Sequence, residues 1–196
     1  MTTNPSVTDK TCSLRERKKQ QTWRAIHEAA YTLATERGLA HVTVADICSS
    51  ATISERTFFN YFPSKAAAAL GLPSTAITAE DERRFLEGKG PLLDELCELI
   101  TSVSSGHEDL PRVRELIRLE PDLLAALHQW TSGLRKHVIQ LAEQRTSEPT
   151  RAHLAVALVF AALFLHADSG YTTRPGRASA ADLRATVTRL GELAAE

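Results

Sequence analysis

Apolar residues recur along this chain at spacings of three and four, and no stretch shows the alternation of a half-buried strand. Three- and four-residue spacing places apolar side chains on one face of a helix. With 196 residues, 43% hydrophobic and 24% charged, the composition is that of a globular chain rather than a disordered one. The length allows one domain or two small ones sharing a core. The expected fold class is all-α with about nine helices: a compact N-terminal group of three or four, then a larger bundle.

The start of the chain, residues 1–13, is polar and reads as a mobile tail without the apolar core of a signal peptide. A first helix is expected over Leu14–Arg37, where Trp23, Ile26, Ala30 and Leu33 form one stripe and Gly38 supplies a stop. A short helix over Val44–Ser49 follows, with Thr43 and Asp46 in capping-box spacing. After the tight connection Ser50–Thr52 a third helix is expected over Ile53–Phe62, with Thr52 as N-cap in the β region and Glu55 completing a box. Pro63 ends it, since the ring removes a donor and clashes with a continuing helix. Ser64 caps a fourth helix through Leu70, closed by Gly71 and Pro73.

Beyond that, helices are expected near Ala79–Leu86, from Pro91 to Ser105, from Pro111 to Leu119, from Pro121 to Arg145, from Pro149 to Ser169, and from Ser179 or Asp182 onward. Gly170–Ala178 reads as a loop. The longest apolar run, Leu154–Leu165, has twelve residues. A bilayer span needs about 20, so a buried helix and no membrane are expected.

Cys12, Cys48 and Cys97 stand far apart, with no C-x-x-C pair and no zinc-like histidine spacing. Sparse, odd cysteine usage suits a reducing cytoplasm, and neither a metal nor a cofactor is implied. No nucleophile elbow, P-loop, H-E-x-x-H or G-x-G-x-x-G after a strand occurs, so an enzyme is not expected.

Two short helices joined by a tight turn and braced by a longer one make a helix-turn-helix unit, about residues 43–62. On the second of them, Phe58 and Phe62 share one face while Arg56 and Asn60 share the opposite one. Guanidinium can grip guanine O6 and N7, a carboxamide adenine, and a threonine methyl thymine. The net charge of −1 hides an asymmetry. Lys10–Lys65 holds 9 Lys+Arg against 5 Asp+Glu, a net of +4, whereas Ala66–Glu196 holds 14 against 18, a net of −4, and Asp9 supplies the remaining −1. Arg15, Arg17, Lys18 and Lys19 concentrate the basic charge at the start of the first helix, as contact with a polyanionic backbone requires.

The segment IHEAAYTLATERGLAHVTVADICSSATISERTFFNYFPSK resembles the N-terminal domain of the TetR (tetracycline-repressor-like) family of bacterial transcription regulators. The elements come in order over roughly Leu14–Leu70: Arg37-Gly38, Thr43 to Ile47, Ser54, Thr57 to Phe59, Tyr61-Phe62 and Pro63-Ser64-Lys65. The resemblance implies an all-helical homodimer that binds palindromic double-stranded DNA, most often as a repressor released by a small-molecule effector. It implies a DNA-binding domain over 14–70 and a ligand-binding and dimerisation domain over 71–196. It also implies that Thr43 bonds a phosphate, that Ser54, Arg56 and Thr57 lie at or near base edges, and that Tyr61 and Lys65 hold the backbone. Arg15, Lys18 and Asn60 complete the expected DNA contacts. Two departures stand out: Thr52 fills a turn position often held by glycine, and Phe59 stands where tyrosine is frequent and has no hydroxyl for a phosphate.

For the C-terminal part, Cys97, His128 and Trp130 are candidates for a ligand pocket, although His128 and Trp130, two apart, cannot share a helix face. Burial among apolar neighbours is the other reading for Cys97. His137 is a further cavity candidate. His166 and Asp168 are either a polar switch or the edge of an interface. Leu158, Phe160, Leu165 and Leu190 are expected at a dimer interface formed by the last two helices. The alternative function is a helical DNA-binding adaptor, or a regulator without a small-molecule ligand.

Overall fold

The computed structural model describes residues 14–103, 110–167 and 178–195. The tail, Cys12, Asp168, most of the Gly170–Ala178 loop and the Arg15 side chain lie outside the described residues. Among the described residues there are ten α-helices and no strand. They are α1 (Leu14–Arg37), α2 (Val44–Ala51), α3 (Glu55–Tyr61), α4 (Lys65–Ala69), α5 (Ala79–Glu87), α6 (Leu92–Val103), α7 (Leu110–Leu119), α8 (Leu123–Glu143), α9 (Pro149–Ala167) and α10 (Ala180–Leu193), with a 3-10 turn at Leu39–His41.

Local chemistry sets most of these boundaries. Thr43, Thr78 and Ser179 each cap a helix through a reciprocal bond with the aspartate three residues on, Asp46, Asp81 and Asp182. Ser64 caps α4 by accepting the Ala67 N–H. The start of α3 differs from the sequence expectation. Its cap is Ser54, whose hydroxyl accepts the Thr57 N–H, so the helix begins at Glu55 rather than Ile53. Thr52 is instead the C-cap of α2, at φ 55° and ψ 50°, with its N–H on the carbonyls of Cys48 and Ser49. The S/T-x-x-E spacing fits Thr52, but a residue folded into the left-handed turn cannot present an extended N-cap.

Two apolar clusters form the interior. The first unites α1 to α4: Ile26, Ala30, Ile47, Phe58, Phe62 and Leu70 are all buried. Full enclosure of Phe58 and Phe62 contributes about 2–3 kcal/mol each. Leu72, Leu116 and Leu123 complete this cluster, so α7 and the start of α8 help close the N-terminal head. The second cluster joins α6, α8, α9 and α10 around Leu96, Val138, Val159 and Leu183. Trp130 packs against both.

Gly71 shows why the head closes tightly. It sits at φ 68°, and a Cβ there would come within 3.3 Å of the His27 ring and 3.4 Å of Trp23. Close approach of this turn to α1 lets His27 Nδ1–H donate to the Ala68 carbonyl at 2.8 Å. His27 is thereby buried without an unsatisfied donor at that nitrogen.

The helix α9 is longer and less enclosed than its twelve-residue apolar run suggests. Its window Pro149–His166 has the length and composition to cross a membrane, with mean hydropathy 1.4, and 33% of it is buried inside the protein. One face packs on α6, α8 and α10. The other presents Leu154, Ala157, Ala161 and Phe164 to solvent.

Candidate nucleic-acid interface

The geometry of α3 follows from its apolar face. Phe58 and Phe62 point into the head, with ring centroids 6.2 Å apart, and Phe62 lies 5.7 Å from Trp23 of α1. That anchoring turns Arg56 and Asn60 outward, and both are exposed. Thr57 and Tyr61 flank them half-buried, and Ser54 lies exposed at the helix start. The Ser54 and Thr57 hydroxyls are 2.9 Å apart and share a hydrogen bond.

At the start of α2, Thr43 is exposed but engaged. Its hydroxyl donates to Asp46 Oδ2 at 2.6 Å and accepts the Asp46 N–H at 3.1 Å. The side-chain bond from Thr43, then its backbone N–H, holds the Asp46 carboxyl below its usual range. Lys65 is more committed still. Its ammonium donates to the carbonyls of Leu39 at 2.8 Å and Val42 at 2.7 Å, pinning the 3-10 turn that leads into α2. Of its three donors, two already serve the fold. Lys18, Arg17, Lys19 and Arg24 are exposed along the start of α1.

Two connections between the head and the C-terminal helices have no local sequence signal. Arg112 of α7 makes a two-pronged bond to Glu28 of α1, at 2.7 and 3.0 Å, with its guanidinium 4.0 Å over the Tyr31 ring. Glu120 accepts the Leu39 N–H at 3.0 Å. Each partner lies more than 80 residues from the other, beyond the reach of any periodicity argument.

The expected pocket residues are not brought together. Cys97 is fully buried among apolar neighbours on α6, and burial pushes its thiol up to about 11. His128 is exposed on α8. Trp130 is half-buried and donates its indole N–H to the Pro73 carbonyl at 2.9 Å, tying α8 to the segment after α4. His137 faces Glu82 of α5 at 3.0 Å. A cleft of about 360 Å³ instead opens between α5 and α6, with Asp81, Glu95 and Glu98 among its lining residues.

The expected interface residues divide. Leu158, Leu165 and Leu190 are half-buried. Phe160 is 3% exposed and belongs to the core of its own chain. It therefore faces the opposite way from the expectation, because a helix apolar on all sides carries no polar face to set its phase. The large apolar side chains exposed on these two helices, among the described residues, are Leu154 and Phe164 on α9 and Leu193 on α10. His166 Nε2 and Thr186 Oγ1, 2.9 Å apart, join those two helices.

Residues 26–69 match the family model for bacterial regulatory proteins, tetR family. The head thereby matches bacterial regulatory proteins of the tetR family. The matched residues run from the inward face of α1 to the end of α4, so they include the whole helix-turn-helix. No curated protein matches the chain. Among solved structures, it is similar to a protein described as a TetR-family transcriptional regulator from Mesorhizobium loti MAFF303099, with 17% identity, 90% of this chain and 98% of that one covered, and a TM-score of 0.47. It is also similar to the multidrug binding protein EbrR complexed with imidazole, with 18% identity, 97% of both chains covered, and a TM-score of 0.41. Likeness at this level carries nothing about ligand or assembly in this chain.

Proposed function

We propose that this tetR-family regulator acts as a cytoplasmic homodimer that reads a palindromic operator and represses transcription until a small molecule releases it. The observation that carries sequence-specific reading is the two-sidedness of α3. Phe58 and Phe62 lock one face into the head, and Arg56 and Asn60 stand exposed on the other. A guanidinium and a carboxamide on one exposed helix face are the pair that reads guanine and adenine in the major groove. Thr43, Ser54, Thr57, Tyr61, Lys65, Lys18 and Arg15 are the proposed supporting contacts, with Lys65 acting chiefly by fixing the turn before α2.

Dimerisation is supported by the stripe Leu154, Ala157, Ala161 and Phe164 on α9, exposed over several turns beside Leu193 of α10. A two-fold dimer would place two reading heads on a symmetric site. For the effector, the cleft between α5 and α6 is the proposed candidate region. The second reading, a regulator without an effector, is favoured by the tight packing around Cys97 and the tie of Trp130 to Pro73.

The test is a gel shift with duplexes enriched from a random library. The expected result is salt-sensitive binding to a symmetric site, with Arg56→Ala losing specific affinity far more than non-specific affinity. Equal losses on both would reduce Arg56 to a positioning contact, and binding to no duplex would overturn the proposal.

A further inference from the structure

Phe59 is a large apolar side chain that the fold leaves outside. It is 52% exposed, whereas its neighbour Phe58 is fully buried. Its ring meets Phe58 edge-on, with centroids 5.3 Å apart and planes at 88°. The inner edge of the ring is thus held while the rest projects outward. At about 100° per residue, Phe59 and Asn60 lie on either side of Arg56, all three within one arc of about 100°. Phe59 is therefore the apolar member of the same face that carries the guanidinium and the carboxamide.

The chemistry of that position limits what it can meet. A benzyl side chain has no donor for a phosphate oxygen and no acceptor for an exocyclic amine. Among the groups that base pairs present in the major groove, the 5-methyl of thymine is the apolar one. Covering that methyl with the exposed ring removes apolar surface of both from water.

We infer that Phe59 is a specificity-determining residue that reads the 5-methyl group of a thymine in each half-site, beside the bases read by Arg56 and Asn60. The inference rests on α3 being the DNA-reading helix and adds a base preference that Arg56 and Asn60 do not specify. Because the ring is held by Phe58 rather than by a hydrogen bond, the contact discriminates by shape and apolarity. A cytosine or uracil at that position presents no methyl and leaves the ring against water.

The test uses the full chain and a duplex enriched by the wild-type protein from a random library. Each thymine is replaced singly by deoxyuridine, which deletes only the methyl group, and affinity is measured for wild type, Phe59→Ala and Phe59→Leu. At one thymine per half-site the wild type should lose about fourfold, the equivalent of one methyl. Phe59→Ala should bind both duplexes equally there, and Phe59→Leu should fall between. A wild type indifferent to every replacement overturns the inference, as does a replacement pattern unchanged in Phe59→Ala, or a selected site in which no thymine recurs. The replacement scan on the wild type stands even if a variant fails to fold. A wild type that enriches no duplex overturns the DNA-reading function itself, and this inference with it.

Discussion

Thr52 offers the sharpest test of the backbone geometry that sets α2 against α3. It is the only non-glycine residue at positive φ among the described residues, and its side chain is exposed. The left-handed conformation costs an L-residue roughly 1–2 kcal/mol, because Cβ crowds the following carbonyl. Replacing Thr52 by glycine removes that cost but widens the unfolded ensemble, returning about 0.4–1 kcal/mol. The balance predicts that Thr52→Gly stabilises the chain by about 1 kcal/mol. Thr52→Val keeps the β-branch and should leave stability nearly unchanged. Urea unfolding followed by far-ultraviolet circular dichroism, at one fixed protein concentration, measures both. A destabilised Thr52→Gly would refute the reasoning, since it would mean that the threonine side chain supports the turn rather than tolerating it.

Four further outcomes are expected. Lys65→Met should destabilise the head by about 2–4 kcal/mol, since it leaves the carbonyls of Leu39 and Val42 without their charged donor; urea unfolding checks it, and a stable variant that merely loses DNA affinity would assign Lys65 to phosphate alone. The Arg112 hydrogen bond holds the Glu28 carboxyl below its ordinary 4.5. Its contribution is therefore full above that value and lost as pH falls through the lowered one, so the stability gap between wild type and Arg112→Met should close on acidification. Phe164→Glu should shift the chain toward monomer in sedimentation, because Phe164 is 58% exposed on the apolar stripe of α9. Phe160→Ala should instead destabilise the fold by about 3–5 kcal/mol, as loss of a core ring does.

What was legible in the sequence follows from how local each determinant is. Helix positions were readable because each helix buries one face and is bounded by caps within three residues, as at Thr43 and Asp46 or Ser179 and Asp182. The inward and outward faces of α3 were readable for the same reason, since two phenylalanines four apart oppose a polar pair. The phase of α9 was not, because Phe160 and Phe164 are chemically identical and only tertiary packing decides which is buried. Thr52 was misread because two capping registers overlap by two residues, and the steric cost of positive φ argued against the one adopted. The grip of Lys65 on Leu39 and Val42, and of Glu120 on Leu39, joins residues 23 to 81 apart. No pattern along the chain records such pairs. Their effect on the site is direct, since they position the turn from which α2 begins.

The central claim is that a basic head hidden in a near-neutral chain grips DNA, and salt dependence measures it most directly. A dimer neutralising three or four phosphates per head should show a slope of log affinity against log salt of about −5 to −7 on its selected duplex. A slope near zero, or no measurable binding at low salt, would contradict the account.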